Sequence, residues 1–204
     1  MASVVHCQDS SKAASERERS YDSHIQYLGT LKDRIRFAGP LATADGARGR
    51  GDEKLVGSLF VIDEPASVAS ELLRGDPYLK SGVWERLSVF QAVASYGPWP
   101  SGVSVKPEGR IYATLASSAG PPLVATASVL FGAQLETRTG SLEQMGASIW
   151  RAVAIFSANS LEDARSLLVE PAANRTTQVT SWSVPIAVGT WTTPPANTLI
   201  GRPL

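Results

Sequence analysis

Two histidines, His6 and His24, and a single cysteine, Cys7, stand near the start of a 204-residue chain, and an Asp76-Pro77-Tyr78 turn follows further along. An imidazole titrates near neutral pH. A carboxylate that accepts its N–H fixes the tautomer and stabilises the imidazolium, so a histidine–aspartate pair on a cavity wall can act as a general acid or base. The plainer readings are a half-buried structural histidine on a helix and an aspartate that caps a turn before proline. The histidines and cysteine have no H-x-x-x-H or C-x-x-C spacing and the acidic residues are scattered, so no metal site is expected. Gly46 to Gly51 contains Arg48 and Arg50 but lacks the G-x-x-x-x-G-K-[ST] pattern and precedes no helix. There is no G-x-S-x-G elbow and no nicotinamide or flavin motif, so no cofactor is expected.

The elements that must position these residues follow from periodicity. Ala2 to Gln8 is apolar and valine-rich, which predicts a strand, and alternation then turns one of His6 and Cys7 to the sheet's open face. That makes His6 a candidate cavity-lining residue, set against packing or edge exposure. Ser15 and Glu18 have capping-box spacing, and Glu16 to Arg34 carries Tyr21, His24, Ile25, Tyr27, Leu28 and Leu31 at helical intervals. Strands are predicted at Ile35 to Leu41, interrupted at Gly39-Pro40, at Leu55 to Asp63 and at Val83 to Ser95. Ala42 to Lys54 reads as a charged loop, Ser67 to Arg74 as a short helix after Pro65, and Gly75 to Gly82 as a turn. Strand, helix, strand, strand, helix, strand is the split βαβ order of a ferredoxin-like unit, an antiparallel sheet with helices on one face. Its other face needs a partner.

The same chain supplies one. Phe37 to Leu41 (FAGPL) is echoed by Phe131 to Leu135 (FGAQL), and Val68 to Pro77 by Glu162 to Pro171. Strands are predicted at Arg110 to Ser117, Val129 to Thr137, Ile149 to Ser157 and Gln178 to Val188, with a helix at Ser160 to Val169. The connection beginning Gly120-Pro121-Pro122 is too short for a counterpart of the His24 helix. Chance similarity between short apolar strands is the competing explanation. With 43% hydrophobic residues the chain supports a packed core, and 19 basic against 19 acidic residues give no net pull toward nucleic acid or an anionic membrane. No run of about 18 apolar residues and no secretory signal pattern is present, and the lone cysteine fits a reducing compartment, so a cytoplasmic location is expected.

The succession His24-Ile25-Gln26-Tyr27-Leu28, Phe37-Ala38-Gly39-Pro40-Leu41, Gly57-Ser58-Leu59, Asp76-Pro77-Tyr78, Gly82-Val83 and Pro98-Trp99 resembles the YCII-related (YciI-like) domain. The resemblance spans residues 2 to 99 and implies a dimeric ferredoxin-like α/β barrel, with His24 and Asp76 as the catalytic pair. The chain departs from the family three residues before the histidine, where an arginine is common and Tyr21 stands here, with Arg19 nearby. Related barrels carry out dehydrochlorination, lactone isomerisation and cofactor-free oxygenation, so fold analogy leaves the reaction open.

The expected architecture is α+β, two ferredoxin-like repeats packed as an intramolecular α/β barrel. Residues 1–99 form the equipped repeat, 100–109 a linker, 110–191 a degenerate repeat and 192–204 a proline-containing tail. The expected function is a cofactor-independent lyase, isomerase or cyclase acting on a small, aromatic or polyketide-like molecule. His24 shuttles the proton, Asp76 orients it, and His6, Arg36, Ser58, Tyr78 and Trp84 position the substrate. The five tryptophans, with Phe37, Phe131, Tyr27 and Tyr78, either line an apolar pocket or pack the core. The expected partner is a small molecule, with no nucleic acid and no membrane, bound to a monomer or homodimer. A non-catalytic ligand-binding or scaffold protein and a cofactor-free monooxygenase are the alternatives.

Overall fold

The computed structural model describes residues 1–43, 54–99, 109–117, 124, 128–136, 150–168, 179–185, 187 and 189. Its elements are β1 (Ser3–Asp9), α1 (Ala13–Thr30), β2 (Ile35–Thr43), β3 (Leu55–Ile62), α2 (Ala66–Arg74), α3 (Pro77–Lys80) and β4 (Trp84–Tyr96). β5 (Arg110–Ala116), β6 (Val129–Glu136), β7 (Ala152–Ala158), α4 (Leu161–Ser166) and β8 (Val179–Val184) complete the described chain. Most of the 42–54 loop, the linker through residue 108, the Gly120-Pro121-Pro122 connection, the turn at Glu170 and the 192–204 tail lie outside the described residues.

Three local expectations are corrected. Helix α1 begins at Ala13, and the Ser15/Glu18 capping box does not form. Ser15 is already inside the first turn, where its hydroxyl donates to the Lys12 carbonyl, while the Ser10 hydroxyl accepts the Lys12 N–H. β2 runs unbroken through Gly39-Pro40: it pairs with β3 along its length but with β8 only at Ala42 and Thr43, so a position without an N–H is tolerated at Pro40. The Gly75 to Gly82 turn contains the short helix α3, started by Pro77 at its first turn behind an Asp76 cap.

Eight described strands close into a barrel in the order β1-β3-β2-β8-β5-β7-β6-β4, every neighbouring pair antiparallel. Read from its edge, the first half runs β4-β1-β3-β2 and the second β8-β5-β7-β6, the same ferredoxin-like order twice. The halves join at two seams. One is β2–β8, paired through Ala42↔Ser183 and Thr43↔Trp182. The other is β4–β6, where Tyr96 comes opposite Gly132 and its ring occupies the space a Cβ there would need. Closure leaves no sheet edge among these strands to attract another chain.

Alternation along the strands separates two apolar layers. Val4, Phe37, Leu59, Val61 and Phe90 of the first half meet Leu115, Phe131, Leu135, Val153, Ile155 and Trp182 of the second inside the barrel, with Trp99 fully buried among them. Each large side chain buried this way contributes roughly 1.5–3 kcal/mol. The opposite face of the first half, through Val5, Cys7, Ala38, Phe60, Ile62, Trp84 and Leu87, packs under the helices with Leu73 and Tyr78. The second half has its own outer layer, in which Tyr112, Ala154 and Phe156 pack with Ala164 of α4.

Candidate active site

The site lies on the helix side of the first-half sheet. His24 is one of two buried residues of α1, and Asp76, with no exposed surface, caps α3. The His24 Nδ1 stands 2.8 Å from Oδ1 and 3.0 Å from Oδ2 of Asp76. The same Oδ1 accepts the backbone N–H of Tyr78 at 2.8 Å. With the carboxylate acting as acceptor, Nδ1 carries the hydrogen and Nε2 the lone pair, the tautomer a general base needs. No described residue hydrogen-bonds Nε2, and this nitrogen is not among the sealed buried atoms without a partner. The aspartate-before-proline cap and the histidine partner are therefore one residue in two roles.

Aromatic rings fix the imidazole's plane. Tyr78 stacks on His24 with centroids 3.7 Å apart and planes 8° from parallel, and Trp84 meets both rings edge-to-face at 5.6 and 5.5 Å. Burial pushes the Tyr78 hydroxyl up to about 12, against the pull of the Arg17 guanidinium, so it stays protonated and able to donate. The Trp84 indole N–H is buried with no hydrogen-bond partner among the described residues.

Arg17 completes the cluster. Its Nε and Nη2 grip the Asp9 carboxylate at 3.1 and 2.7 Å, Nη2 also donates to the Gly57 carbonyl at 3.1 Å, and the Ser58 hydroxyl lies 3.4 Å away. Its Cζ stands 5.2 Å from the Tyr78 ring centroid. Gly57 is required where it is, because a Cβ there would run into the Cys7 carbonyl of the neighbouring strand. Burial raises Asp9 against the opposing effect of Arg17, and burial followed by the charge of Asp76 pushes the Cys7 thiol well up, so Cys7 is a protonated wall residue.

Of the residues expected at the site, the structure brings His24, Asp76, Tyr78 and Trp84 together and places Ser58 at the Arg17 edge. It does not bring His6 or Arg36 there. His6 points from β1 to the barrel interior, its ring 5.2 Å from that of Trp182, because strand alternation sends it to the face opposite Cys7. Arg36 pairs with Asp63, which also meets the N-terminal ammonium. Arg19, near the family's usual arginine position, is exposed and pairs with Glu16. Reading by residue type missed Arg17 and Asp9. The available signal was helical spacing: Arg17, Tyr21 and His24 fall at i, i+4 and i+7 of α1. The aromatic residues divide, with Phe37, Trp99, Phe131 and Trp182 packing the interior and Tyr78 and Trp84 framing the histidine.

Fold and site together define an α+β barrel of the ferredoxin-like class that carries a buried histidine–aspartate pair under the helices of one half. Residues 1–93, the half holding that pair, match the YCII-related domain. Among solved structures, the chain is similar to 5-chloro-2-hydroxyhydroquinone dehydrochlorinase from Burkholderia phenoliruptrix in complex with 2,5-dihydroxybenzoquinone. That likeness has 25% identity over 45% of this chain and 92% of the other, with a TM-score of 0.40. It is also similar to a proposed monooxygenase from Lactobacillus acidophilus, at 8% identity over 89% and 91% with a TM-score of 0.47. A third likeness is to a chlorite dismutase variant from Candidatus Nitrospira defluvii, at 14% identity over 90% of each chain with a TM-score of 0.47. No curated protein matches the chain.

Proposed function

We propose that this protein is a cofactor-independent enzyme, a lyase, isomerase or cyclase, that uses His24 to move a proton on a small molecule with aromatic or polyketide-like character. The observation that carries this reading is the 2.8 Å contact between His24 Nδ1 and a fully buried Asp76, which leaves Nε2 without a hydrogen-bond partner among the described residues. The Nε2 lone pair takes a proton from the substrate, and the imidazolium that forms is held by Asp76. Return of the proton to a different atom gives isomerisation or cyclisation. Its delivery to a departing group gives elimination. Tyr78 and Trp84 fix the imidazole plane throughout, which limits the loss of alignment during transfer.

The test is untargeted mass spectrometry of cell extracts from a strain lacking the protein, supplied in parallel with wild type and with His24→Gln. Wild type is expected to deplete at least one metabolite and raise an isomer or elimination product of it, and His24→Gln to leave both unchanged. Identical conversion by the two proteins overturns the proposal.

A further inference from the structure

The charges of the site constrain the ionisation state of its substrate. Asp9 neutralises Arg17 and Asp76 faces His24, so with a neutral imidazole the cluster already holds one carboxylate more than it holds cations. A ligand that arrives as an anion adds a second uncompensated charge to a place where burial already penalises Asp9 and Cys7 in their charged forms. A ligand that arrives neutral and passes its proton to His24 does not. After transfer, imidazolium faces Asp76, and the new oxyanion faces the guanidinium that Asp9 holds in place.

Arg17 has the geometry to receive that oxygen. Asp9, Gly57 and Ser58 engage Nε and Nη2, and the guanidinium also hydrogen-bonds the Tyr78 hydroxyl, so of its five N–H hydrogens one is left over on a side chain that is otherwise pinned. Tyr78 links this end to the base, because one face-to-face stack joins it to His24 and the guanidinium lies over the same ring. Its hydroxyl is a second permanent donor. We infer that Arg17 and Tyr78 form the oxygen-binding end of the site, and that the substrate enters as a neutral acid, a phenol or an enolisable carbonyl compound, and not as a carboxylate or phosphate. In the step itself, an O–H bond or a C–H bond beside the carbonyl breaks and an N–H bond forms at Nε2. The electron pair is left on the substrate oxygen as phenolate or enolate.

This rests on the proton-transfer reading of His24, and the experiment separates the two. The probe is 4-nitrophenol, whose phenolate absorbs at longer wavelength than the phenol, with 4-nitrobenzoate as a permanent anion of similar shape. Binding is followed by absorbance and calorimetry at mildly acidic pH, where free probe is neutral. Wild type is expected to bind 4-nitrophenol with appearance of the phenolate band, and to bind 4-nitrobenzoate about tenfold more weakly or worse. Asp9→Asn combined with Arg17→Gln removes the donor without leaving a buried charge unpaired, and is expected to weaken 4-nitrophenol binding about tenfold or more and to abolish the band. Arg17→Lys, which keeps the charge and loses the fork, is expected to fall between. Equal affinity for the two probes, unchanged binding by the double variant, or no binding to wild type overturns the oxygen-binding end. A phenolate band that persists in His24→Gln overturns the role of His24 alone and leaves the Arg17 subsite standing.

Discussion

The Asp76 carboxylate holds His24 from the cap of a neighbouring helix: one oxygen, Oδ1, accepts both the imidazole Nδ1–H and the Tyr78 backbone N–H, each at 2.8 Å. The orientation of the base is thereby tied to the start of α3. Neither helix can shift without disturbing the other, and Tyr27 separately ties α1 to α2 by donating to the Leu72 carbonyl at 2.6 Å.

Asp76 therefore serves stability and function, and two substitutions separate these roles. Asp76→Ala removes the cap and leaves a buried imidazole N–H unpaired, with an expected cost of about 2–4 kcal/mol in urea unfolding. Asp76→Asn keeps the shape and the cap but permits the wrong imidazole tautomer. Its expected signature is a small stability change with a fall in kcat of about 10²–10⁴-fold on the metabolite that wild type converts. Equal kcat in Asp76→Asn and wild type would remove the aspartate from the mechanism.

His6 sets an acid limit on stability. Burial in the barrel wall lowers it from 6.5 to about 4, so above 6.5 it is neutral in both the folded and unfolded chain. As pH falls through that window the unfolded chain takes up the proton first, and up to about 3 kcal/mol of stability is lost by the lower end. His6→Phe is expected to flatten the stability curve over that window. A curve with an unchanged slope in the variant would show that His6 is not the titrating group.

The β4–β6 seam depends on the absence of a side chain at Gly132, where the Tyr96 ring lies. Gly132→Ala must displace that ring, and a destabilisation of about 1–3 kcal/mol is expected by thermal or urea unfolding. Combining it with Tyr96→Ala, which clears the space, should make the two effects non-additive. Strict additivity would mean that the two residues do not share the seam.

Asp63 gives a prediction of opposite sign to His6. Hydrogen bonding to Arg36 lowers its carboxyl below the usual aspartate value, so its contribution is present above the unfolded value near ~4 and is lost as pH falls through the lower folded one. Asp63→Asn is expected to reduce stability at neutral pH and to leave it nearly unchanged at the acid end. The pair is partly exposed, so high salt should shrink the difference.

Periodicity was enough to locate every described strand to within a few residues, because each alternates or runs apolar between turn signals. The pairing of His24 with Asp76 was legible through the resemblance to the YCII-related domain, since residue type alone does not join a helix histidine to a turn aspartate so far along the chain. What escaped was decided by tertiary contact. Arg17 carries no local mark distinguishing it from Arg19, and only the approach of Asp9, Gly57 and Tyr78 makes one of them part of the site. The face taken by His6 was equally open, since alternation gives two faces and the sequence of β1 alone does not say which one meets α1. Continuity of β2 through Pro40 was hidden for the same reason, as it depends on how far β8 extends along the neighbouring edge.

His6 and Cys7 are chain neighbours, yet each is driven to its uncharged form by a different surrounding, the imidazole by losing a proton and the thiol by keeping one. β1 is in effect an insulating partition one residue thick. On one side stand the carboxylates and guanidinium of the site. On the other stands the lumen that Trp182 shares with His6. Chemistry under the helices can therefore change the charge on His24 while neither His6 nor Cys7, the two uncharged neighbours in the middle of this strand, passes that change into the barrel.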